Sequence, residues 1–419
     1  MIMRYIADFH IHSPYARACS PKLTLANIDA WAKLKGINIV GTGDFSHPAR
    51  FKEIENNLVE KYPGLYQFKG SSTGTLFMLT TEIACIFSQG GKTRRLHICI
   101  LAPNLDFVKK LNAQLTARGC KLASDGRPII GMSAKELLKI CLSIDENHLT
   151  IPAHAWTPWF AIFGSKSGFD SISECYEDLS KYIYAIETGL SSDPLMNWRL
   201  SALDKITLLS NSDAHSLENL GREANVFELN KPSYQEIFEI IKNQDKKKFL
   251  YTIEFFPEEG MYHFDGHRAC KISWSPVQTK KNKNICPVCK KTVTVGVLNR
   301  VDNLADRLEK KIDKSQFIPF KSIIPLAEII ADSYGVGKNS KKVYAEYFNL
   351  IKDNRNEFEI LLDTPFDVLK KLTLPQIAEG IIRVRKGQVI LTPGFDGQYG
   401  KIQVFSEQER AVNRQKPLF

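Results

Sequence analysis

Nine side chains suited to holding metal ions recur in or just beyond short apolar runs in the first half of this chain. They are His10, His12, Asp44, His47, Glu82, His97, His154, Asp213 and His215. Six of the protein's nine histidines belong to that set. A core that merely tolerates imidazole would scatter them. Ligands that follow strands point instead to several ions gathered at one end of a barrel-like domain. In extended chain, residues i and i+2 share a face, so His10 and His12 can meet one cluster, and Asp213 and His215 repeat the device. The donors are imidazole nitrogens and carboxylate oxygens without a thiolate, which suits ions in a reactive site better than a structural finger. Two or three divalent metals (Zn, Mn, Fe or Mg) are expected. Ions bridged by a carboxylate lie about 3.5–4 Å apart, activate water and clamp a phosphoryl oxygen. Phosphoester hydrolysis is the chemistry such a site serves best. Asp213, Glu82 and His10 are the candidate catalytic residues. His148 stands outside the pattern.

The apolar runs 5–9, 37–41, 76–86, 97–102, 149–153, 183–187 and 207–212 alternate with helical patterns. Thr24 and Gly36 bracket one helix, and Ser133 with Glu136 forms a capping box before another. Such alternation predicts an α/β domain with parallel strands and its chemistry at the strands' carboxyl ends. Seven of the nine ligands obey that rule. Glu82 falls inside its run and His97 at the start of its own.

The rest of the chain divides by composition. Residues 1–235 form the expected catalytic barrel, and 236–260, with Lys246-Lys247-Lys248, read as a linker. Residues 261–300 surround Cys270, Cys286 and Cys289. His267 and Cys270, then fifteen residues, then Cys286 and Cys289 have the spacing of a four-ligand structural zinc, with His263 an alternative to His267. A redox Cys-x2-Cys pair is the competing interpretation. A segment this small cannot easily build its own core, so one structural Zn makes sense. The other cysteines are scattered and read as small buried hydrophobes. Residues 301–408 are helical by period, for example Leu304, Leu308 and Ile312, and end in a β hairpin over 387–404. Residues 409–419 form a polar tail.

The chain has 419 residues and a net charge of +10. The basic excess is concentrated between Arg268 and Arg300, where no Asp or Glu intervenes. Arg268, Lys271, Lys280, Lys281, Lys283, Lys290 and Lys291 are the candidate DNA contacts. No apolar run approaches about 18 residues, so no membrane span is expected. The start lacks the pattern of a signal peptide, and a cytoplasmic, nucleoid-associated protein with reduced thiols is the expectation.

Across about residues 1–230 these motifs resemble the polymerase and histidinol phosphatase (PHP) superfamily. The resemblance implies a distorted seven-stranded (β/α) barrel with up to three metals, followed here by a small zinc-binding segment and a mainly helical C-terminal domain. The superfamily's second motif places His directly after Asp; here Phe45 and Ser46 separate Asp44 from His47. With Tyr262–Arg268, the cysteine segment and Pro393-Gly394-Phe395-Asp396-Gly397-Gln398-Tyr399-Gly400, the chain resembles the endonuclease Q family over nearly its full length. That resemblance implies nicking of double- or single-stranded DNA 5′ of deaminated bases (uracil, hypoxanthine, xanthine) and abasic sites.

Uracil and hypoxanthine share a carbonyl beside a ring N–H, and an Asn amide complements that edge. Asn211, two residues before Asp213, is therefore the candidate reader of a flipped base. The aromatic loop Trp156, Trp159 and Phe160 beside His154 is a candidate stacking surface. Gln415, Leu418 and Phe419 resemble a bacterial sliding-clamp peptide. Two other functions compete: a small-molecule phosphatase of the same superfamily, and a non-catalytic DNA-binding or polymerase-associated module. DNA affinity should fall steeply with salt, by about 0.9 in log–log slope per phosphate contacted. Affinity indifferent to salt would reduce the basic stretch to ordinary surface.

Overall fold

The computed structural model describes residues 3–410. Seven strands coincide with the apolar runs: β1 Met3–Asp8, β2 Ile39–Gly41, β3 Leu76–Gln89, β4 Lys92–Ala102, β5 Leu149–Pro152, β6 Ala185–Glu187 and β7 Thr207–Leu209. The fold is mixed α/β. β1, β2 and β3 run parallel to one another, as do β6 and β7. The expectation of parallel strands throughout is corrected at β3 and β4, which form one long antiparallel hairpin; β4 also pairs antiparallel with β5. Gly90 and Gly91 close that hairpin, both at positive φ. Two such residues supply the tight turn that matches strand twist, so no crossover helix is needed.

The hairpin also explains the two ligands that broke the strand-end rule. Both strands run on past the mouth of the domain, so Glu82 and His97 sit in mid-strand, Glu82 opposite Cys99 and His97 opposite Ala84. One buried apolar cluster draws residues from all seven strands, including Ala7, Ile39, Met78, Leu101, Ile151, Ala185 and Leu209. Period two carries the same face onward from Met78 to Glu82, from Leu101 to His97, from Ala185 to Glu187, and from Leu209 to Asn211 and Asp213. The side of the strands that fills the interior turns polar at the mouth.

Helix α1, Leu25–Lys35, starts where Thr24 accepts the Asn27 N–H and ends at Gly36 in the left-handed region. The Ser133–Glu136 capping box is formed. The stretch expected as a linker is instead part of the main sheet. It holds a helix, Tyr234–Asn243, whose buried face includes Ile237, Phe238 and Ile241, and strand β9, Phe249–Glu254. Strand β8, Ala224–Leu229, pairs antiparallel with β1 and with β9, and β9 runs parallel to β10, Phe320–Ser322. The lysine run sits in the turn between helix and β9 and does not mark a boundary.

Beyond β10, helices Leu326–Tyr334, Lys341–Leu350, Phe366–Leu372 and Pro375–Arg385 pack around buried Ile329, Ile330, Leu350, Ile377 and Ile381. The helix expected to run through Leu304 and Leu308 stops at Leu304, because Ala305 turns extended and Leu308 is exposed. Ile390–Thr392 and Lys401–Gln403 form the expected antiparallel hairpin.

A buried ion pair locks the first domain to these helices. Lys35 Nζ, at the end of α1, lies 2.7 Å from Glu357, and both side chains are less than one-tenth exposed. Glu357 also accepts the Leu326 N–H at 2.9 Å and the Tyr347 hydroxyl at 2.7 Å. Removing one partner of a buried pair strands the other charge, at about 3–5 kcal/mol. Lys35→Met should cost that much in denaturant unfolding; a loss below about 1 kcal/mol would contradict the assignment of Lys35–Glu357 as the lock.

Candidate metal centre

Glu82 lies at the centre of the site and its two oxygens face different partners. Oε1 lies 2.9 Å from His97 Nδ1 and 3.3 Å from His154 Nε2. Oε2 lies 3.4 Å from His12 Nε2 and 3.7 Å from His10 Nε2. Asp213 Oδ1 adds to the second group, 3.1 Å from His12 Nε2 and 3.6 Å from His10 Nε2. His215 completes a further group with Asp213 and His12. The carboxylate is therefore shared between two sets of imidazoles.

These donors fit metal ions. Glu82 Oε1 and His10 Nε2 are buried without a hydrogen-bond partner. A buried polar atom left unpaired costs about 1–3 kcal/mol, which a cation at that point would reverse. Asp44, His154 and Asp213 all hold positive φ. Strain of that kind, of order 1–3 kcal/mol each, gathers at functional sites. Burial pushes the His97 ring down to about 4, so it is neutral and able to ligate at pH 7. Burial alone would raise the Glu82 carboxyl, but its contacts with His97, Arg127 and His10 hold it well below the usual range.

The ligand imidazoles are themselves oriented. Asp44 Oδ1 lies 3.0 Å from His12 Nδ1, while Oδ2 accepts the Ser13 N–H and hydroxyl at 2.6 Å each. Such pairing fixes the tautomer and aims Nε2 toward Glu82 and Asp213. Asp44, expected as a ligand, is thus a positioning residue for His12. Glu187 does the same for His10, 2.9 Å from its Nδ1, and accepts the His154 N–H at 3.0 Å. Glu187 lies outside the nine expected ligands, although it ends strand β6 at the same mouth. Arg127 is a further site residue outside that set; its Nη1 donates to Glu82 Oε2 at 3.1 Å. Arg127 lies in a loop whose sequence carries no signal.

Two candidates fall elsewhere. His47 caps helix Pro48–Asn57, its Nδ1 accepting the Ala49 N–H at 3.2 Å, and its ring stacks on Tyr15. It joins none of the ligand groups. Asn211 lines the cavity, and its amide is held by the scaffold. Its Oδ1 accepts from the Phe9 N–H and from Asn225, both at 2.9 Å, and its Nδ2 donates to Glu187 at 2.9 Å. Both carbonyl lone pairs are spent, so the amide cannot offer the acceptor that a ring N–H requires. β7 and β1 share no ladder, and the Asn211 amide spans that gap. In the aromatic loop, Trp156 is buried and donates to Asn197, whereas Trp159 and Phe160 remain partly exposed, Phe160 packed on His97. Gln415, Leu418 and Phe419 lie outside the described residues.

A second donor cluster gathers His267, Cys270, Cys286 and Cys289, with one donor atom of each within 4.8 Å of the others. His263 is not part of it; its Nδ1 lies 3.3 Å from the Ser191 carbonyl and the ring is buried. All seven basic residues named above are exposed around this cluster, and none forms an ion pair among the described residues. A cavity of about 440 Å³ opens beside the ligand groups, lined by His154, Asp213, His215 and Arg222 together with Met261, Tyr262 and Tyr399.

A split carboxylate among buried imidazoles, open to a cavity, defines a metal-dependent enzyme. The structure matches the crystal structure of the lesion-specific endonuclease PfuEndoQ from Pyrococcus furiosus at TM-score 0.85 and 30% identity, covering 99% of this chain and 98% of that one. It matches endonuclease Q in complex with a 27-mer duplex substrate, an abasic lesion at the active site, at TM-score 0.85 and 32% identity over 97% and 98%. The chain belongs to the endonuclease Q family, whose members are metal-dependent DNA endonucleases. Residues 325–388 match the family of the MJ0043 C-terminal domain. The uncharacterized protein MJ0043 of Methanocaldococcus jannaschii is 35% identical over 266 residues, which are 62% of this chain and only 33% of that protein.

Glu82→Gln should empty most of the divalent metal bound at this centre, measured by inductively coupled plasma mass spectrometry. Asp44→Asn should weaken binding about 10–100-fold, as loss of an orienting partner does. His47→Ala should leave metal content unchanged, and loss of an ion there would return His47 to the ligand set.

Proposed function

We propose that this chain is a repair endonuclease that hydrolyses the phosphodiester 5′ of deaminated bases (uracil, hypoxanthine, xanthine) and of abasic sites. The observation that carries this is the Glu82 carboxylate, divided between His10/His12 and His97/His154 beside a cavity of nucleotide size. We read the seven strands as the distorted barrel of the PHP superfamily. His10, His12 and Glu82, with Asp213 beside them, would hold one ion, and Glu82, His97 and His154 a second. The group of His12, Asp213 and His215 reuses the His12 nitrogen, so a third ion there would need ligands from substrate. Bound divalent ions would polarise the phosphodiester and lower the pKa of water to about 7.

The protein's own groups do the rest. Asp44 and Glu187 fix the imidazoles, and the buried nest excludes bulk water from Glu82. A solved relative carries an abasic lesion at its active site, and the cavity here adjoins the ligands in the manner such a nucleotide requires. Discrimination among bases falls to the cavity's shape, since the Asn211 carbonyl is engaged. His267, Cys270, Cys286 and Cys289 would hold one structural zinc, whose segment presents seven unpaired cations to the DNA backbone. Gln415, Leu418 and Phe419 are retained as a proposed clamp peptide, and deleting Leu418 and Phe419 would remove clamp binding alone.

Duplexes containing one uracil, hypoxanthine or abasic site, incubated with Mg²⁺ or Mn²⁺, should each be nicked on the 5′ side, and chelation should abolish nicking. Phosphate release from a monoester with intact duplexes would favour the phosphatase, and binding without turnover the non-catalytic module.

A further inference from the structure

Two arginines near the ligand groups are anchored on the metal-binding machinery yet keep N–H groups without partners. Arg127 donates through Nη1 to Glu82 Oε2 at 3.1 Å. Its side chain is 23% exposed, and its remaining guanidinium N–H groups have no partner among the described residues. Arg222 donates through Nε to the Ser212 carbonyl at 2.8 Å and through Nη2 to the Asp213 carbonyl at 3.4 Å. It is the one Lys or Arg lining the cavity, and its Nη1 has no partner among the described residues. Neither arginine forms an ion pair with a carboxylate other than Glu82 among the described residues.

The two anchors are neighbours. Glu82 Oε2 and Asp213 Oδ1 lie 3.4 and 3.1 Å from the same atom, His12 Nε2. Arg127 holds the first of these ligands, and Arg222 holds the loop that carries the second. A guanidinium fixed on one edge retains a planar donor edge, which matches two oxygens of a phosphate. An ammonium in either place would be a point charge without that geometry. Anchoring also removes the reorganisation cost of bringing a charge to the transition state.

We propose that Arg127 and Arg222 form a fixed-charge clamp on the DNA backbone at the lesion, Arg127 on the scissile phosphate beside Glu82 and Arg222 on the phosphate of the nucleotide in the cavity. This rests on the endonuclease reading above. Both arginines touch substrate in this scheme and so count as catalytic residues. The clamp supplies positive charge that does not depend on which ion is loaded.

The test uses the full-length, metal-loaded protein and a duplex carrying one abasic-site analogue. Arg127→Met and Arg222→Met should each lower single-turnover nicking about 100-fold, the scale seen when one preorganised donor is removed. Metal content by mass spectrometry should stay at the wild-type value, which separates the clamp from a role in holding Glu82 or Asp213. The slope of log kcat/KM against log salt should fall by about 0.9 for each variant. Arg127→Lys and Arg222→Lys guard against misfolding and should recover part of the rate, because charge returns without the fork. Met variants that lose metal in step with activity overturn the clamp, as do variants that nick like wild type or keep its salt slope. If wild-type protein itself leaves the duplex intact, the endonuclease reading fails and takes the clamp with it. If wild type nicks and the variants match it, the clamp alone fails.

Discussion

One carboxylate divides the active end of this protein into two halves. Glu82 is buried, leaves Oε1 without a hydrogen-bond partner, and faces a pair of imidazoles with each oxygen. Imidazole nitrogens and a carboxylate crowded to about 3–4 Å in a low-dielectric interior suit a cation shared among them. Arg127 reaches one oxygen only. The rest of the centre serves this arrangement. The β3–β4 hairpin carries Glu82 and His97 past the mouth, the ends of β1 and β5 bring the other imidazoles, and Asp44 and Glu187 aim two of them.

Much of this was legible in the sequence, because strand periodicity and metal chemistry both leave patterns. His10-x-His12 and Asp213-x-His215 announce themselves by spacing, and the Cys-x2-Cys knuckle by composition. What was hidden depended on pairing across space. Nothing local distinguishes Asp44 as the orienter of a ligand from Asp44 as a ligand. Asn211 shares parity with Asp213, as the sequence implied, yet the missing ladder between β7 and β1 claims its amide. The lysine run at 246–248 suggested a linker, but the buried faces of the flanking helix and of β9 decide that region. Arg127 and Arg222 sit in stretches without motif, so only contacts reveal them.

The second half of the chain completes the cavity. Met261, Tyr262 and Tyr399 line it together with His154, Asp213 and His215. The buried Lys35–Glu357 pair holds the helical part against α1, and Glu357 ties the Leu326 N–H and the Tyr347 hydroxyl of that part together. Charge follows a separate logic. The exposed cations cluster around the cysteine-rich segment, where our proposal has them meet a polyanion at a distance, whereas the proposed clamp of Arg127 and Arg222 works within the site.

The most direct test is anomalous diffraction from crystals of the active, metal-loaded protein. The account predicts two strong peaks on either side of the Glu82 carboxylate, one toward His10 and His12 and one toward His97 and His154, together with a separate zinc peak among His267, Cys270, Cys286 and Cys289. Crystals of protein that nicks lesion duplexes, yet show no anomalous density beside Glu82, would contradict it.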